Sequence, residues 1–432
     1  MKRVLVGLWR REEKVQTILI NGGNRLNGAI TTPTAKNSLL PIMAGAILVD
    51  GEVRIKGFER FSDCYAMIDI LRELGAKATI KGRMLTLDCT NVDKYTITSE
   101  LAVKLRASIY TLGAVIVRQK KAKIAYPGGC LIGTRPIDQH LKGLRTLGVR
   151  IIEQHGYLFC DGEGLHSGEV YLDLPSVGAT YNIILASVCN QGVTTIHNVA
   201  KEPEIVDFQN FLNTCGADIS GAGTDTIVVR GIGKLLHGGE YKPIGDRIIA
   251  GTYLIAVAGT GGDVKVNNIN PKHLEALLYR LEEMGCVVYR GKRCVRIVSN
   301  GELKSLGKLD TLPYPGFPTD LQAPMMALLC KCKGNTMITE NLFEARFKHI
   351  NELNKMGASV LVSGNTAMVK GVEVLYGADV YVTDLRAGAS LVVAGLIAKG
   401  YTTIHNVEYI KRGYVRLEKS LKRLGADIRI QN

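Results

Sequence analysis

The sequence has 432 residues, of which 46% are hydrophobic and 22% charged, and its formal net charge is +14. This length predicts two or three domains, and the hydrophobic content excludes an intrinsically disordered chain. The longest apolar run, residues 39–49, is shorter than the about 20 residues that a membrane-spanning helix needs. Ten cysteines without a C-x-x-C pair predict neither a structural zinc site nor a disulfide framework, so we expect a cytoplasmic protein.

The positive charge is compatible with nucleic acid, an anionic membrane surface or a small anionic ligand. No block of five basic residues occurs, and aromatic residues do not alternate with lysine and arginine as on single-strand binding surfaces. We therefore expect no nucleic-acid partner and no membrane association. Charge alone leaves open whether the protein binds a small anion or has a basic surface without a ligand, and it does not predict the oligomeric state.

One helix-ending pattern, Leu-x-x-hydrophobic-Gly-small, recurs along the whole chain. Its glycines are Gly75, Gly148, Gly216, Gly285, Gly357 and Gly425, spaced 68 to 73 residues apart. A glycine just past a helix takes the left-handed conformation, and the small residue after it packs on the last turn. The pattern predicts six units, each running helix, strand, loop, helix, strand. The predicted fold class is α/β, with two similar domains of three units each.

A second pattern predicts where the first helix of each unit lies. Small-residue apolar helices are predicted to end at Gly51, Gly192, Gly262, Gly334 and Gly400, with Lys121 at this place in the second unit. The residues 14 or 15 positions earlier are Lys36, Arg106, Gly178, Arg247, Asp320 and Arg386. Helix N-termini attract anions and disfavour cations, so cations at these positions indicate a shared anionic ligand. The alternative is that they are ordinary exposed side chains.

Loops later in the units add further arginines. Arg135, Arg346 and Arg412 lie in equivalent loops, and the arginine fork suits both phosphate and carboxylate. Residues 176–180, SVGAT, offer backbone amides and hydroxyls that could hold a diphosphate. Cys130 lies in a glycine-bracketed loop five residues before Arg135, and a nearby cation favours a reactive thiolate. The other cysteines are interpreted mainly as buried filler.

Taken together, these motifs resemble the enolpyruvyl transferases, from about Thr17 to the C-terminus. The motifs that carry the resemblance are Ala35-Lys36-Asn37, Leu105-Arg106-Ala107-Ser108, Pro-Gly-Gly-Cys130-x-Ile-Gly-x-Arg135-Pro-x-Asp138, Ser176-Val-Gly-Ala-Thr180, Phe317-Pro-Thr-Asp320-x-Gln322, Phe343-x-x-Arg346-Phe, Thr383-Asp384-Leu385-Arg386-Ala387 and Arg412-Gly413-Tyr414. The resemblance implies an inside-out α/β barrel arrangement, with helices inside and sheets outside. It also implies that residues 1–35 join 244–432 in one domain, that 36–243 form the other, and that the active site lies in the cleft between them.

Within that family the motifs are similar to those of the members whose acceptor is UDP-N-acetylglucosamine. The implied reaction moves the enolpyruvyl group of phosphoenolpyruvate to the 3′-hydroxyl of that acceptor and releases phosphate, by addition and elimination. It is the first committed step of peptidoglycan precursor synthesis and uses neither a metal nor an organic cofactor. A cysteine at position 130 further implies inactivation by the epoxide fosfomycin.

The resemblance also implies roles for single residues. The catalytic residues would be Cys130, Asp320, Lys36 and Arg412, and Asp384 would orient its neighbours. The phosphoenolpyruvate-binding residues would be Lys36, Asn37, Arg135, Arg346, Arg386 and Arg412. The residues that contact UDP-N-acetylglucosamine would be Asn37, Arg106, Pro136, Ile137, Asp138, Ser176, Val177, Gly178, Asp320 and Leu342.

Two departures from the family pattern leave one alternative open. Ile249 stands where the family usually has a glutamate, and the net charge of +14 is unusually basic. The alternative is a divergent paralogue that binds the UDP-sugar with little or no turnover. The related synthase that acts on shikimate 3-phosphate is less similar, because its pattern lacks the Pro-Gly-Gly-Cys loop.

Overall fold

The computed structural model describes residues 16–128, 132–133 and 135–431. The helices in this part of the chain are α1 (Lys36–Gly45), α2 (Ser62–Glu73), α3 (Ser99–Ala102), α4 (Leu112–Gln119), α5 (Asp138–Thr146), α6 (Val177–Val188), α7 (Pro203–Thr214), α8 (Arg247–Thr260), α9 (Glu275–Glu283), α10 (Thr319–Leu329), α11 (Ile350–Lys355), α12 (Leu385–Ile397), α13 (Glu408–Lys411) and α14 (Leu417–Arg423). Short 3-10 helices cover Ala46–Leu48, Arg106–Thr111 and Pro271–Leu274. None of the described helices combines the length and hydrophobicity that a bilayer crossing requires.

The described strands share a repeated arrangement. In chain order they are β1 (Thr17–Asn21), β2 (Leu26–Thr31), β3 (Val49–Lys56), β4 (Lys77–Lys81), β5 (Met84–Asp88), β6 (Thr96–Ile97), β7 (Lys121–Ala125), β8 (Arg150–Gln154), β9 (Tyr157–Asp161), β10 (Glu169–Tyr171), β11 (Gln191–His197), β12 (Asp218–Ser220), β13 (Thr226–Ile232), β14 (Leu236–Tyr241), β15 (Gly262–Asn267), β16 (Val287–Arg290), β17 (Cys294–Ser299), β18 (Lys308–Asp310), β19 (Asn335–Thr339), β20 (Ser359–Ser363), β21 (Thr366–Lys370), β22 (Asp379–Tyr381), β23 (Tyr401–His405) and β24 (Asp427–Gln431).

These strands form six four-stranded sheets of one topology. The sheet orders are β14-β3-β5-β4, β6-β7-β9-β8, β10-β11-β13-β12, β2-β15-β17-β16, β18-β19-β21-β20 and β22-β23-β1-β24. In each sheet the first two strands are parallel and the other neighbours antiparallel. The predicted α/β fold of six repeated units is confirmed.

Three strands join units that are far apart in sequence. β1 pairs with β23 and β24, β2 pairs with β15, and β14 pairs with β3. The N-terminal strands therefore complete sheets of the last three units, and β14 completes the sheet of the first unit. This pairing supports the division into residues 1–35 plus 244–432 and residues 36–243, which stays a proposal.

The second helix of each unit ends at the predicted glycine. All six glycines lie two residues beyond the last helical residue and have φ between 89° and 111°. In the first unit the Gly75 N–H donates to the Arg72 carbonyl at 3.0 Å, and the Ala76 N–H donates to the Leu71 carbonyl at 2.9 Å. These bonds satisfy the last carbonyls of the helix, as in a Schellman motif, so the prediction is confirmed.

The predicted ends of the first helices need a correction. Gly51, Lys121, Gly192 and Gly262 lie in the strands that follow the helices, and Gly334 and Gly400 directly precede such strands. Helix α6 ends at Val188, whereas Gly192 lies inside β11. Gly262 is the first residue of β15, and a Cβ on it would lie 1.9 Å from the Leu26 carbonyl oxygen in the paired strand β2. Glycine is needed at Gly262 because two strand backbones approach closely there, not because a helix ends.

The first helix of each unit lies in the interior, while the sheets face outward. In α8 every residue from Arg247 to Gly259 is buried, and α8, α10 and α12 pack against one another. In the first half α6 packs against α4 and against the 3-10 helix that begins at Arg106. Strands such as β5 and β19 alternate buried residues with more accessible ones, as expected of a sheet with one solvent face. Helices inside and sheets outside agree with the arrangement that the resemblance implied.

A buried carboxylate holds the segment that connects the two halves. The Tyr241 hydroxyl donates to Asp207 Oδ1 at 2.7 Å, and the Ile244 N–H donates to Asp207 Oδ2 at 3.1 Å. Burial raises the pKa of Asp207 to about 6, although these two hydrogen bonds act in the opposite direction. The folded protein therefore holds this proton more tightly than the unfolded chain does.

We predict that Asp207 makes stability fall as the pH rises. The stabilisation is fully present below about pH 4 and is lost as the pH rises through about 6. For a pKa shift of this size the stabilisation amounts to about 3 kcal/mol. Urea unfolding of the wild type and of Asp207→Asn between pH 4 and pH 8 measures it, because the difference between them isolates this group. A difference that stays constant over this range would contradict the prediction.

Candidate active site

All six residues that the repeat pattern singled out lie in the first turn of a helix. Lys36 begins α1, Arg106 begins its 3-10 helix and Arg247 begins α8. Gly178, Asp320 and Arg386 are the second residues of α6, α10 and α12. The predicted helix starts are therefore confirmed.

Asp320 is held between two buried arginines. Arg346 Nη2 donates to Asp320 Oδ1 and Arg386 Nη2 donates to Asp320 Oδ2, both at 2.8 Å. The side chains of Arg346 and Arg386 are only 3% and 6% exposed, while that of Asp320 is 29% exposed. Burial acts to raise the pKa of Asp320, but the two arginines outweigh it, and with Lys36 they hold the pKa well below its usual range.

A second carboxylate, Asp63, is held between two cations in the same way. Lys36 Nζ lies 3.1 Å from Asp63 Oδ2, and Arg412 Nε lies 2.9 Å from Asp63 Oδ1. Burial acts to raise the pKa of Asp63, but the two cations lower it below its usual value. Lys36 comes from the first unit and Arg412 from the sixth, so this cluster joins the two halves of the chain.

Phe343 lies between arginines from the two halves. The Arg135 guanidinium carbon is 5.2 Å from the centre of the Phe343 ring, and that of Arg346 is 5.8 Å from it. The Ala345 N–H also donates to the Ile132 carbonyl at 3.1 Å. The loop that carries Arg135 therefore contacts the loop that carries Arg346 directly.

Carboxylates cap two of the helices that carry cations. Asp384 Oδ1 accepts the N–H groups of Arg386 and Ala387, so it fixes the start of α12 as an orienting residue would. Asp246 accepts the N–H groups of Ile248 and Ile249 at the start of α8, and its other oxygen accepts the Lys36 N–H at 3.1 Å. One side chain thus joins the helix that begins with Lys36 to α8.

The remaining predicted positions surround the starts of α5 and α6. Ser176 caps α6 by accepting the Ala179 N–H, and a Cβ on Gly178 would lie 2.7 Å from His140 of α5. Burial lowers the pKa of His140 to about 3, so this ring is neutral. Arg106 donates to the carbonyls of Pro127 and Arg135 beside these helices.

Other predicted residues have these places: Asn37 follows Lys36 in α1, Pro136 and Ile137 precede Asp138 at the start of α5, Val177 begins α6, and Leu342 is an exposed residue after β19. Cys130, which was predicted to be reactive, lies outside the described residues.

Arg247 differs from the other cations at helix starts. Its Nε donates to both carboxylate oxygens of Glu204, at 3.0 and 3.2 Å, and both side chains are buried. The guanidinium also lies 5.6 Å from the Tyr314 ring centre. Ile249, where the family usually has a glutamate, is 1% exposed and belongs to the hydrophobic core.

Sequence reasoning missed two of the carboxylates that organise these cations, Asp63 and Asp246. Asp63 is an acidic residue in the first turn of α2, and Asp246 is an N-cap, and both are common positions for aspartate. The sequence offers one signal for Asp246, which is its position directly before the apolar segment that forms α8. Nothing in the local sequence connects Asp63 with Lys36 or Arg412.

The combined site is a cluster of ion pairs contributed by several units. The side chains of Lys36, Arg346, Arg386 and Arg412 pair with two carboxylates, Asp63 and Asp320. These cations suit a ligand that carries both phosphate and carboxylate, because the charges of the ligand would replace or share the internal carboxylate partners. Fold and site thus define a class: a repeat-built α/β protein in which paired cations and carboxylates from both halves of the chain form one cluster.

The comparisons with known proteins identify the family. The family model described as EPSP synthase (3-phosphoshikimate 1-carboxyvinyltransferase) matches residues 20–421. A UDP-N-acetylglucosamine 1-carboxyvinyltransferase of Caldanaerobacter subterraneus subsp. tengcongensis is 49% identical over 95% of this chain and 98% of its own length. One of Carboxydothermus hydrogenoformans is 46% identical over 96% of this chain and 99% of its own length. The chain belongs to the enolpyruvyl (carboxyvinyl) transferase family.

Solved structures agree with this assignment. The enolpyruvyl transferase NikO from Streptomyces tendae has a TM-score of 0.87 at 27% identity, over 96% of this chain and 99% of that one. EPSP synthase from Acinetobacter baumannii has a TM-score of 0.72 at 20% identity, over 97% of this chain and 100% of that one. At 20% identity the likeness extends to the fold alone.

Proposed function

We propose that this protein transfers the enolpyruvyl group of phosphoenolpyruvate to the 3′-hydroxyl of UDP-N-acetylglucosamine and releases phosphate. The observation that carries the proposal is the Asp320 carboxylate bound at 2.8 Å by Arg346 and by Arg386, with Lys36 close enough to lower its pKa further. Relatives that are 43–49% identical over nearly their whole length bear the name of this activity, which supports the choice of acceptor. The reaction would be the first committed step of peptidoglycan precursor synthesis, and we place it in the cytoplasm.

The cations divide between the two anionic ends of phosphoenolpyruvate. Arg346 and Arg386 bind its carboxylate in this proposal, and Lys36, Arg135 and Arg412 bind its phosphate. Asn37 lies next to Lys36 and contacts both substrates. The nucleotide sugar extends along the starts of α5 and α6, where Arg106, Pro136, Ile137, Asp138, Ser176, Val177 and Gly178 are found, and it reaches Leu342 and Asp320 on the opposite side.

Substrate binding changes the state of Asp320. In the structure both arginines neutralise this carboxylate, which makes it a weak base. When the substrate carboxylate takes over the guanidinium groups, Asp320 loses part of its stabilisation and its pKa rises. It then accepts the proton of the 3′-hydroxyl more readily.

The chemistry consists of an addition and an elimination. In the addition, the 3′-oxygen attacks C2 of phosphoenolpyruvate as its proton moves to Asp320, and C3 gains a proton from Cys130 in this assignment. The tetrahedral product retains the phosphate on C2. In the elimination, C3 returns a proton to the Cys130 thiolate, the C2–C3 double bond re-forms and the bond from C2 to the phosphate oxygen breaks. The proton held by Asp320 passes to the departing phosphate, so both residues return to their starting states. Lys36 and Arg412 stabilise the negative charge on the departing phosphate.

The proposal is tested by measuring phosphate release from phosphoenolpyruvate by the purified protein, with and without UDP-N-acetylglucosamine. We expect release that requires the nucleotide sugar. A folded protein that binds the nucleotide sugar but releases no phosphate would overturn the proposal in favour of a non-catalytic paralogue.

We predict that Cys130→Ser reduces phosphate release by about 10²-fold or more, the size of a lost general acid, and abolishes inactivation by fosfomycin. A serine hydroxyl is neither an acid of suitable pKa nor a thiolate that opens an epoxide. The matched control is Cys294→Ser on strand β17, which should keep both activity and sensitivity to fosfomycin. Inactivation of Cys130→Ser at the wild-type rate would remove Cys130 from the mechanism.

A further inference from the structure

The buried side chain of Glu340 lies directly after β19 and connects two segments of the candidate site. Its Oε2 accepts a hydrogen bond from the Thr319 hydroxyl at 2.9 Å. Its Oε1 accepts the N–H groups of Leu342 at 2.9 Å and Phe343 at 3.2 Å. Glu340 is 3% exposed.

Both segments carry residues of the ion-pair cluster that Asp320 forms with Arg346 and Arg386. Thr319 precedes Asp320 at the start of α10, and Leu342 and Phe343 precede Arg346. Arg346 closes the network, because its Nη2 donates to the Thr319 carbonyl at 3.2 Å as well as to Asp320. Glu340 and Arg346 therefore connect the same two segments. Glu340 does so through its three hydrogen bonds, and Arg346 through its hydrogen bonds to Thr319 and Asp320.

A carboxylate is an unfavourable choice for a residue that merely fills space. Burying an ionised group costs free energy unless several hydrogen bonds compensate it, and here three uncharged donors do so. Together these hydrogen bonds set the distance between the start of α10 and residues 341–346. That distance decides where the Arg346 fork stands relative to Asp320.

We infer that Glu340 is a positioning residue that fixes the geometry between Asp320 and Arg346. This inference rests on the proposed function, in which Asp320 is the base and Arg346 binds the substrate carboxylate. Glu340 itself touches neither substrate. Displacing such a pair by about 1 Å is enough to reduce a rate by about 10²-fold.

The test compares kinetic constants of variants in full-length protein. In Glu340→Ala we expect kcat to fall by about 10- to 100-fold and KM for phosphoenolpyruvate to rise, while KM for UDP-N-acetylglucosamine changes by less than about threefold. Glu340→Gln should recover most of the rate. Its amide oxygen can accept the two backbone N–H groups, and the Thr319 hydroxyl can turn to accept a hydrogen bond from the amide nitrogen.

Two further variants separate positioning from general destabilisation. Glu352→Ala removes another buried glutamate of the same unit, which binds Lys355 and the Tyr381 N–H instead. It should keep kcat near the wild-type value. Thr319→Val should slow the wild type but have little further effect in Glu340→Ala, because both changes remove the same hydrogen bond. Equal losses in Glu340→Ala and Glu352→Ala, an unchanged kcat in Glu340→Ala, or no recovery in Glu340→Gln would overturn the inference.

A wild-type protein without turnover would refute the proposed function and still leave the inference testable. Hydrogen exchange then compares Glu340→Ala with Glu352→Ala. Faster exchange at Leu342 and Phe343 in the first variant alone supports positioning by Glu340. Unchanged exchange at these two amides overturns it.

Discussion

Replacing Asp320 with alanine is expected to slow phosphate release by about 10²- to 10⁴-fold, the range for removal of a general base. The affinity for UDP-N-acetylglucosamine should change far less, because most of its proposed contacts lie at the starts of α5 and α6. Asp320→Asn should be nearly as slow, since its amide oxygen can accept a hydrogen bond from one of the two arginines but the amide takes no proton. Single-turnover kinetics and calorimetric titration with UDP-N-acetylglucosamine measure the two quantities.

The control for Asp320 is Asp263→Ala on the outer sheet of the fourth unit. Asp263 also accepts hydrogen bonds from an arginine, Arg296, but the pair is solvent-exposed. This variant should retain the wild-type rate. Losses of binding and rate of equal size in Asp320→Ala would instead assign Asp320 a structural role. They would also argue against the division of the cations between carboxylate and phosphate.

The largest expected effect on stability is at Glu204. Glu204→Ala leaves the Arg247 guanidinium buried without its carboxylate, and removing one partner of a buried ion pair costs about 3–5 kcal/mol. Burial alone would lower the pKa of Arg247, but Glu204 raises it above its usual value, so the arginine stays charged in the wild type. The free energy of unfolding from urea denaturation measures the loss.

The matched comparison for Glu204 is Glu282→Ala. Glu282 also forms two short hydrogen bonds to an arginine, Arg290, but both side chains are about one third exposed. Water and salt screen such a pair, so its loss should cost only about 0–1 kcal/mol. Similar losses in the two variants would show that Arg247 finds another partner or solvent when Glu204 is removed.

The six-unit architecture and the helix starts were predictable because their causes are local. A glycine after a helix, as at Gly75 or Gly425, is required by the backbone conformation of a few neighbouring residues. The same holds for the cations and for Asp320, whose helices are recognisable from runs of small apolar residues. Errors arose where a glycine has a distant cause, as at Gly262, whose partner Leu26 is supplied by another part of the chain.

The partners of the charged groups could not be predicted from the sequence. Asp63 and Arg412 are 349 positions apart, and Asp320 and Arg386 are 66 apart, so no local pattern connects them. Glu340 and Asp246 hold residues of the site mainly through hydrogen bonds from backbone N–H groups, which leave no trace in the choice of neighbouring side chains. The family resemblance indicated which residues belong to the site but not which of them neutralise one another.

By itself, then, the sequence determined the α/β class, the repeat, the starts of the central helices and the residue types gathered there. Only the tertiary structure decided that β1, β2 and β14 complete sheets of remote units, and that Asp63 and Asp320 each form ion pairs with two cations. The reason is physical: propensity and capping act over a few residues, whereas strand pairing and buried ion pairs depend on which surfaces meet when the whole chain folds.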